Sequence, residues 1–334
     1  MSDEAAALGF IEDREPLPLT DQIRSELLKT ASMRRGSGFA RRFDVLAARN
    51  CRDAWWLDLL RLWRPAGVPA GERGLRLAVR EEYLNFYRQG QSVARVEVRR
   101  GRLVAHVHAK YVLPAEMAEG GQQYVRLQGD ALTLKGASVG AYGQRMSAEA
   151  WADTAQGYAG AEKKAIDAVL DATDNVIDLE MGQPGTGLRM DMVSIESQGP
   201  DLWVAFWEAK LANDARVRRK GDVLPEVCKQ LDDYAAFVAA PENVERIDYA
   251  YRNAASVLIA LRALADGLGE RQPLGSEIIR AAEATELRVQ PRARLLIFEP
   301  DERAWPTHEK KLRTAGIDLH VAQKGERLEW ASNP

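Results

Sequence analysis

Three side chains near the middle of the chain, Asp191, Glu208 and Lys210, have types and spacing suited to phosphoryl chemistry. Asp191 lies inside the run Leu188–Ile195, and Glu208 and Lys210 close the run Leu202–Lys210. The Gln198-Gly-Pro-Asp201 stretch between the runs carries turn signals, so the pair reads as a β-hairpin. Every position from Leu202 to Trp207 is apolar, which predicts a strand covered on both faces. Side chains alternate along a strand, so Glu208 and Lys210 leave one face a pleat apart, and Asp191 can sit across from them. Two carboxylates and an ammonium at the end of a buried sheet are costly unless they hold a metal or one another.

A magnesium phosphodiesterase needs such a set. Mg²⁺ takes oxygen ligands, keeps several waters, and is commonly held by one or two carboxylates plus substrate phosphate. It acidifies a bound water and neutralises charge on the phosphate, and a neighbouring lysine can orient that water or stabilise developing charge. The Glu-x-Lys tripeptide alone says little, since it also occurs at Glu162–Lys164 and Glu309–Lys311. The copy at Glu208–Lys210 is the one that closes a buried-strand pattern behind an acid-bearing strand.

With these residues the chain resembles the PD-(D/E)xK nuclease superfamily. Asp191 takes the place of the motif aspartate and Glu208-Ala209-Lys210 that of (D/E)xK; Met190 stands where a proline is usual. The resemblance implies an α/β (α+β) restriction-endonuclease-like core, ordered α-β-β-β-α-β, with a central mixed sheet flanked by helices. It implies Mg²⁺, or Mn²⁺ in its place, held by Asp191, Glu208 and the backbone carbonyl of Ala209, with Lys210 positioning or activating water. A glutamate from the first core helix often joins that metal site. Residues 159–172 read as this helix, with Glu162 on the face of Ala165, Ile166, Val169 and Leu170, so Glu162 is the candidate. A solvated acid in a first helical turn fits Glu162 equally well. The activity implied is hydrolysis of phosphodiester bonds, in DNA before RNA. The setting implied is bacterial anti-phage defence or mobile-element processing.

Two flanking segments bear on the same site. Leu224 to Val238 reads as a helix with Val227, Leu231, Tyr234 and Val238 on its core stripe. Gln230 and Tyr234, four apart, share a face and resemble the Gln-xxx-Tyr motif of RecB-like members, where the two support the site. A boundary glutamine and a core tyrosine describe them equally well. Between Lys210 and this helix, Arg216, Arg218, Arg219 and Lys220 form a basic run placed to contact a nucleic-acid backbone. An ordinary solvated loop is the other description.

The remainder frames these segments. With 334 residues the chain is long enough for two domains, and a net charge of −3 confines any nucleic-acid surface to a local basic patch. The two cysteines, Cys51 and Cys228, lack metal spacing and fit a reducing cytoplasm. The acidic Met1-Ser-Asp-Glu start carries no signal-peptide pattern, and no apolar run reaches the length of a membrane span. Residues 1–20 read as a lead-in, 20–30 as a helix, and 33–42 as a basic, glycine-containing connection. Asp53–Trp63 reads as a helix with a tryptophan-rich core stripe. Runs at 75–79, 83–87, 92–98 and 103–108 alternate as antiparallel strands, with turns at Gln89-Gly90 and Arg99–Arg102. His106 and His108 share a strand face but lack a third zinc ligand at suitable spacing. Residues 113–150, with scattered glycines, read as a connection. Helices are expected at 249–264, 277–285 and 302–315, and strands at 294–298 and 317–321.

The domain reading is an N-terminal helical and antiparallel-β accessory module at 1–150 and the nuclease-like domain at 151–334. An alternative function is a catalytically silent subunit of the same fold that binds nucleic acid or assembles with a helicase or effector. The sequence holds no Gly-xxxx-Gly-Lys-Ser/Thr loop, so an ATPase partner would be a separate chain.

Overall fold

The structure is a computed structural model that describes residues 39–118, 121, 123–183, 187–218, 223–271, 273–300, 303–322 and 326–328. The lead-in, the helix expected at 20–30, most of the 33–42 stretch, Glu119-Gly120, Arg219 and Lys220 lie outside the described residues.

Two short helices, α1 (Val45–Asn50) and α2 (Ala54–Leu62), precede a seven-stranded antiparallel meander. Its strands are β1 (Arg76–Val79), β2 (Tyr83–Arg88), β3 (Gln91–Arg99), β4 (Arg102–His108), β5 (Tyr124–Gln128), β6 (Ala131–Leu134) and β7 (Ala137–Ala141). Gln89-Gly90, Arg100-Gly101 and Lys135-Gly136 each place two successive residues at positive φ. Two-residue turns of that kind match the twist of the strands they join. The single-turn helices α3 (Ala109–Val112) and α4 (Ala115–Ala118) interrupt the meander, and α5 (Ala148–Gln156) closes it. The expectation of a connection over 113–150 is therefore corrected: β5 to β7 continue the sheet. Val125 and Leu127 are buried while Arg126 between them is exposed, and Gly129 and Gly136 occupy turns rather than a linker.

The second sheet is mixed. Helix α6 (Ala161–Ala172) leads into β8 (Val176–Gly182), β9 (Arg189–Gln198) and β10 (Asp201–Leu211), which pair antiparallel in that order. Helices α7 (Glu226–Val238), α8 (Pro241–Asp266) and α9 (Ser276–Glu283) follow. The short β11 (Arg288–Val289) pairs parallel to β10, as does β12 (Arg294–Phe298). After α10 (Trp305–Thr314), β13 (Leu319–Ala322) joins β12 in parallel, giving the order β8-β9-β10-β12-β13. Alternation along β10 sends Val204 and Phe206 to one apolar cluster, with Tyr234 of α7 and the length of α8. Trp207 and Ala209 go to another, with Ile166 and Val169 of α6.

The first cluster does not stop at the mixed sheet. It runs without a break to Trp55, Trp56 and Trp63 of the N-terminal segment and to the inner face of the meander. Buried charges line the same junction. Arg76 donates to Asp167 (3.0 Å) and to Asp171 of α6. Asp178 of β8, 2% exposed, accepts from Arg80 and from the Tyr251 hydroxyl (3.2 Å), and Arg41 Nη2 stands 3.1 Å away. Gly67 is packed so closely that a Cβ there would lie 2.4 Å from Asp174 Cβ, and its φ of +84° suits glycine. Among the described residues no helix is long and apolar enough to cross a membrane.

Candidate functional site

The hairpin predicted from sequence forms, and its register aligns the three residues. Pairing runs from Asp201 opposite Gln198 to Trp207 opposite Met192, so the next step sets Glu208 beside Asp191. The Ala209 amide donates to Asp191 Oδ2 (2.9 Å), tying the two strands there. Lys210 Nζ donates to Glu208 Oε1 and to the Ala209 carbonyl (2.8 Å), and stands 3.9 Å from Asp191 Oδ2. All three side chains are buried: Asp191 is 7% exposed, Glu208 and Lys210 2% each.

Burial first, and then the charge of Asp191, push the Glu208 carboxyl up to about 7, against the opposing pull of Lys210. Gln230 of α7 is close enough to favour the charged form of Glu208, yet Glu208 Oε2 completes no hydrogen bond with the described residues. A buried carboxylate oxygen without a donor is costly, and such oxygens in native proteins ask for a water or an ion.

Two further residues meet here that the sequence reading did not single out. Lys163 of α6 donates to Asp191 Oδ1 (2.5 Å) and also bridges to Glu180 Oε1 of β8 (2.6 Å). Burial pushes the Lys163 ammonium down, but the charges of Asp191 and Glu180 outweigh it and hold it above the ordinary lysine range. Glu180 sits at φ +52° inside a strand, an uncommon conformation for a non-glycine residue. A signal for Glu180 existed: in Val176-Ile-Asp-Leu-Glu-Met the acids at 178 and 180 interrupt an apolar run at alternate positions. Lys163, inside Glu162-Lys-Lys, offered none. The turn between β2 and β3 presses on its stem, since a Cβ on Gly90 (φ +73°) would lie 2.7 Å from Lys163 Cγ.

The other expected residues fall at several distances from this centre. Glu162 is half-buried, 3.9 Å from both Lys163 Nζ and Arg216 Nη2. Burial pushes its carboxyl up against the pull of Lys210, with Asp191 adding to the rise. Arg216 is engaged by Asp214 (2.6 Å) and Arg218 donates to the Ala212 carbonyl. Tyr234 is completely buried, with its ring 4.7 Å from that of Phe206, two residues before Glu208, and its hydroxyl has no hydrogen-bond partner among the described residues. His106 pairs with Glu97 (3.0 Å), and His108 Nδ1 accepts from the Lys110 amide (3.2 Å).

Asp191, Glu208 and the Ala209 carbonyl are hard oxygen donors of the kind Mg²⁺ and Mn²⁺ take, and Glu208 Oε2 is free to accept. Among the described residues no three or more His, Cys, Asp and Glu side chains cluster as a metal cage. An ion held by two carboxylates and one carbonyl would have to keep several waters, as Mg²⁺ commonly does. Compared with family models, with curated proteins and with solved structures, the chain matches none.

Proposed function

We propose that the chain is a metal-dependent nuclease that hydrolyses phosphodiester bonds, with DNA as substrate and Mg²⁺ as the ion, Mn²⁺ being able to replace it. The observation that carries this reading is the adjacency of the buried Asp191 and Glu208 carboxylates, with Lys210 between them and Glu208 Oε2 unsatisfied. The order of α6, β8, β9, β10 and α7 supports it, since it is the order the PD-(D/E)xK resemblance implies for a restriction-endonuclease-like core.

Asp191 and Glu208, with the Ala209 carbonyl, would hold the ion, and Glu162, whose carboxyl feels the charges of Lys210 and Asp191, is the further candidate ligand. When bound, the ion would acidify a water and offset phosphate charge. Lys210, fixed by Glu208 and the Ala209 carbonyl, keeps a proton-bearing nitrogen at a set place beside both carboxylates, where it can orient a nucleophile. Lys163 has Glu180 as a second partner and so remains paired if Asp191 Oδ1 turns elsewhere. Gln230 steadies Glu208, Tyr234 supports β10 from beneath, and Arg216 is the described member of the basic run closest to the site. Defence against phages or processing of mobile elements is the proposed setting, by analogy with the superfamily.

The test is cleavage of plasmid, linear and single-stranded DNA, with RNA alongside, by wild type and Lys210→Ala, in Mg²⁺ and in EDTA. Cutting that requires both ion and lysine is expected. Absence of cutting in Mg²⁺ and in Mn²⁺ overturns the reading.

A second reading has its own observation. Each carboxylate already has a lysine: Asp191 holds Lys163 and Glu208 holds Lys210. A centre neutralised from within suits a silent subunit that binds nucleic acid or docks a helicase or ATPase. Nucleic-acid binding without cutting in either ion favours it.

A further inference from the structure

A cleft of about 630 Å³ opens between the meander and β8. It shares Gly90 and Glu180 with the small cavity lined by Lys163 and Asp191, so it adjoins the candidate site directly. Its size is that of a small-molecule pocket, room for about one or two nucleotides and too little for a duplex.

The lining has two characters. One wall is aromatic: His108 lies 5.3 Å from Tyr124 and 5.8 Å from Tyr111, ring centre to ring centre. Tyr111 in turn lies 5.9 Å from Tyr158, whose ring carries Lys110 Nζ at 4.3 Å. Tyr124, which lines the cleft, leaves 46% of its surface to solvent, and Tyr158, behind Tyr111 and outside the lining, leaves 53%. The back of the cleft is polar. Arg41 is only 5% exposed, yet its Nε and Nη2 complete no hydrogen bond with the described residues, although Nη2 stands 3.1 Å from Asp178 Oδ2. Asp178 is already bound by Arg80 and Tyr251, so two guanidiniums share one carboxylate. Two guanidiniums against one carboxylate leave net positive charge at this wall of the cleft. Asn85 Oδ1 accepts from Ser92 Oγ (2.8 Å) and Gln91 Oε1 from the Tyr111 hydroxyl (3.1 Å), leaving the two amide NH₂ groups as further donors.

We propose that this cleft binds an unpaired nucleotide of a single-stranded nucleic acid, its base against the Tyr111–His108–Tyr124 wall and its polar groups on Arg41 and the amides. The strand then continues past Gly90 towards Asp191. Stacking on aromatic rings with arginines beside them is the chemistry by which unpaired bases are held. The inference rests on the nuclease reading for its orientation, but not for the binding itself.

The experiment is fluorescence anisotropy with the full chain in EDTA, where no ion supports cleavage. The probes are labelled single strands of about twelve nucleotides, within the range of single-strand sites: oligodeoxythymidine, oligouridine, an abasic strand of equal length, and a duplex. Wild type should prefer either base-bearing strand over the abasic strand and the duplex, and the two base-bearing strands tell DNA from RNA. Tyr124→Ala should weaken single-strand binding roughly 5- to 100-fold, the range expected for losing one stacked base. Tyr124→Phe, which keeps the ring, should restore it. Equal affinity for abasic and base-bearing strands, or no loss in Tyr124→Ala, overturns the proposal. A chain that binds in this Tyr124-dependent way but never cuts keeps this inference and loses the nuclease reading. One that cuts plasmid while Tyr124→Ala binds as wild type does the reverse.

Discussion

Lys163→Met gives the most discriminating perturbation of the site. Methionine keeps an unbranched stem of similar length where Gly90 packs, with sulfur in place of Cδ, and removes the ammonium that bridges Asp191 Oδ1 and Glu180 Oε1 at 2.5 and 2.6 Å. Stripping one partner from a fully buried ion pair costs about 3–5 kcal/mol, because a charge is left uncompensated. Here the lysine is 23% exposed and the carboxylates 9% and 11%, so partial solvation lowers the cost to roughly 2–4 kcal/mol. Unfolding entropy of about 2.1 cal/mol/K per residue, over 334 residues, gives roughly 0.7 kcal/mol per degree. Thermal unfolding in EDTA should therefore occur about 3–6 °C below wild type. A divalent ion entering between Asp191 and Glu208 replaces the lost positive charge, and an ion at about 100 times its Kd contributes roughly 2.7 kcal/mol. Millimolar Mg²⁺ should then close most of the gap, and raise the variant more than the wild type. Equal melting in EDTA would show that the bridge contributes nothing. A gap that Mg²⁺ leaves untouched would show that the vacated place is not one a cation takes, and would refute the reasoning.

Two other outcomes are expected. Asp178→Asn leaves Arg41 and Arg80 buried without their shared anion, and should cost about 3–5 kcal/mol, read by urea unfolding; a loss under about 1 kcal/mol would mean these charges do not seal the junction. For Glu97, burial pushes the carboxyl up, but hydrogen bonds from Arg99 and His106 outweigh it and hold it below its ordinary 4.5. A depressed folded-state value stabilises above the unfolded value and is lost as pH falls through the folded one, so the advantage of wild type over Glu97→Gln should be full at neutral pH and fade below about pH 4.5 in thermal melts; an advantage independent of pH would rule this out.

Local pattern announced much of this architecture. The unbroken apolar run Leu202–Trp207, ending in Glu208 and Lys210, specified a covered strand with a charged end, and strand alternation was enough to align Asp191 with them. Turn chemistry located β2, β3 and β4, because Gln89-Gly90 and Arg100-Gly101 take the positive φ those turns demand. The same glycine signal misled at 113–150, where Gly129 and Gly136 mark turns within a sheet whose β7 has little buried surface to betray it. Helix α8 begins at Pro241, eight residues before the expected 249, because its first turns are largely polar and carry local pairs such as Arg246 to Asn243 (3.4 Å). Lys163 was invisible for a different reason. Its partners lie on β8 and β9, and the angle at which α6 meets the sheet, rather than any spacing in the sequence, brings them together. Arg41, Arg80 and Asp178 meet across comparable sequence distances.

The apolar cluster that runs from Trp55 to Tyr234 without a seam has a geometric corollary. Two bodies joined by a linker swing against each other, whereas elements packed into one core open only when a large part of the molecule opens with them. The aromatic cleft and the small cavity at Lys163 and Asp191 share Gly90 and Glu180 in their walls, so the two are neighbours within one packed body. On the proposed reading the fold would act as a ruler: a strand lodged among the tyrosines and reaching Asp191 would span a separation set by packing rather than by a hinge.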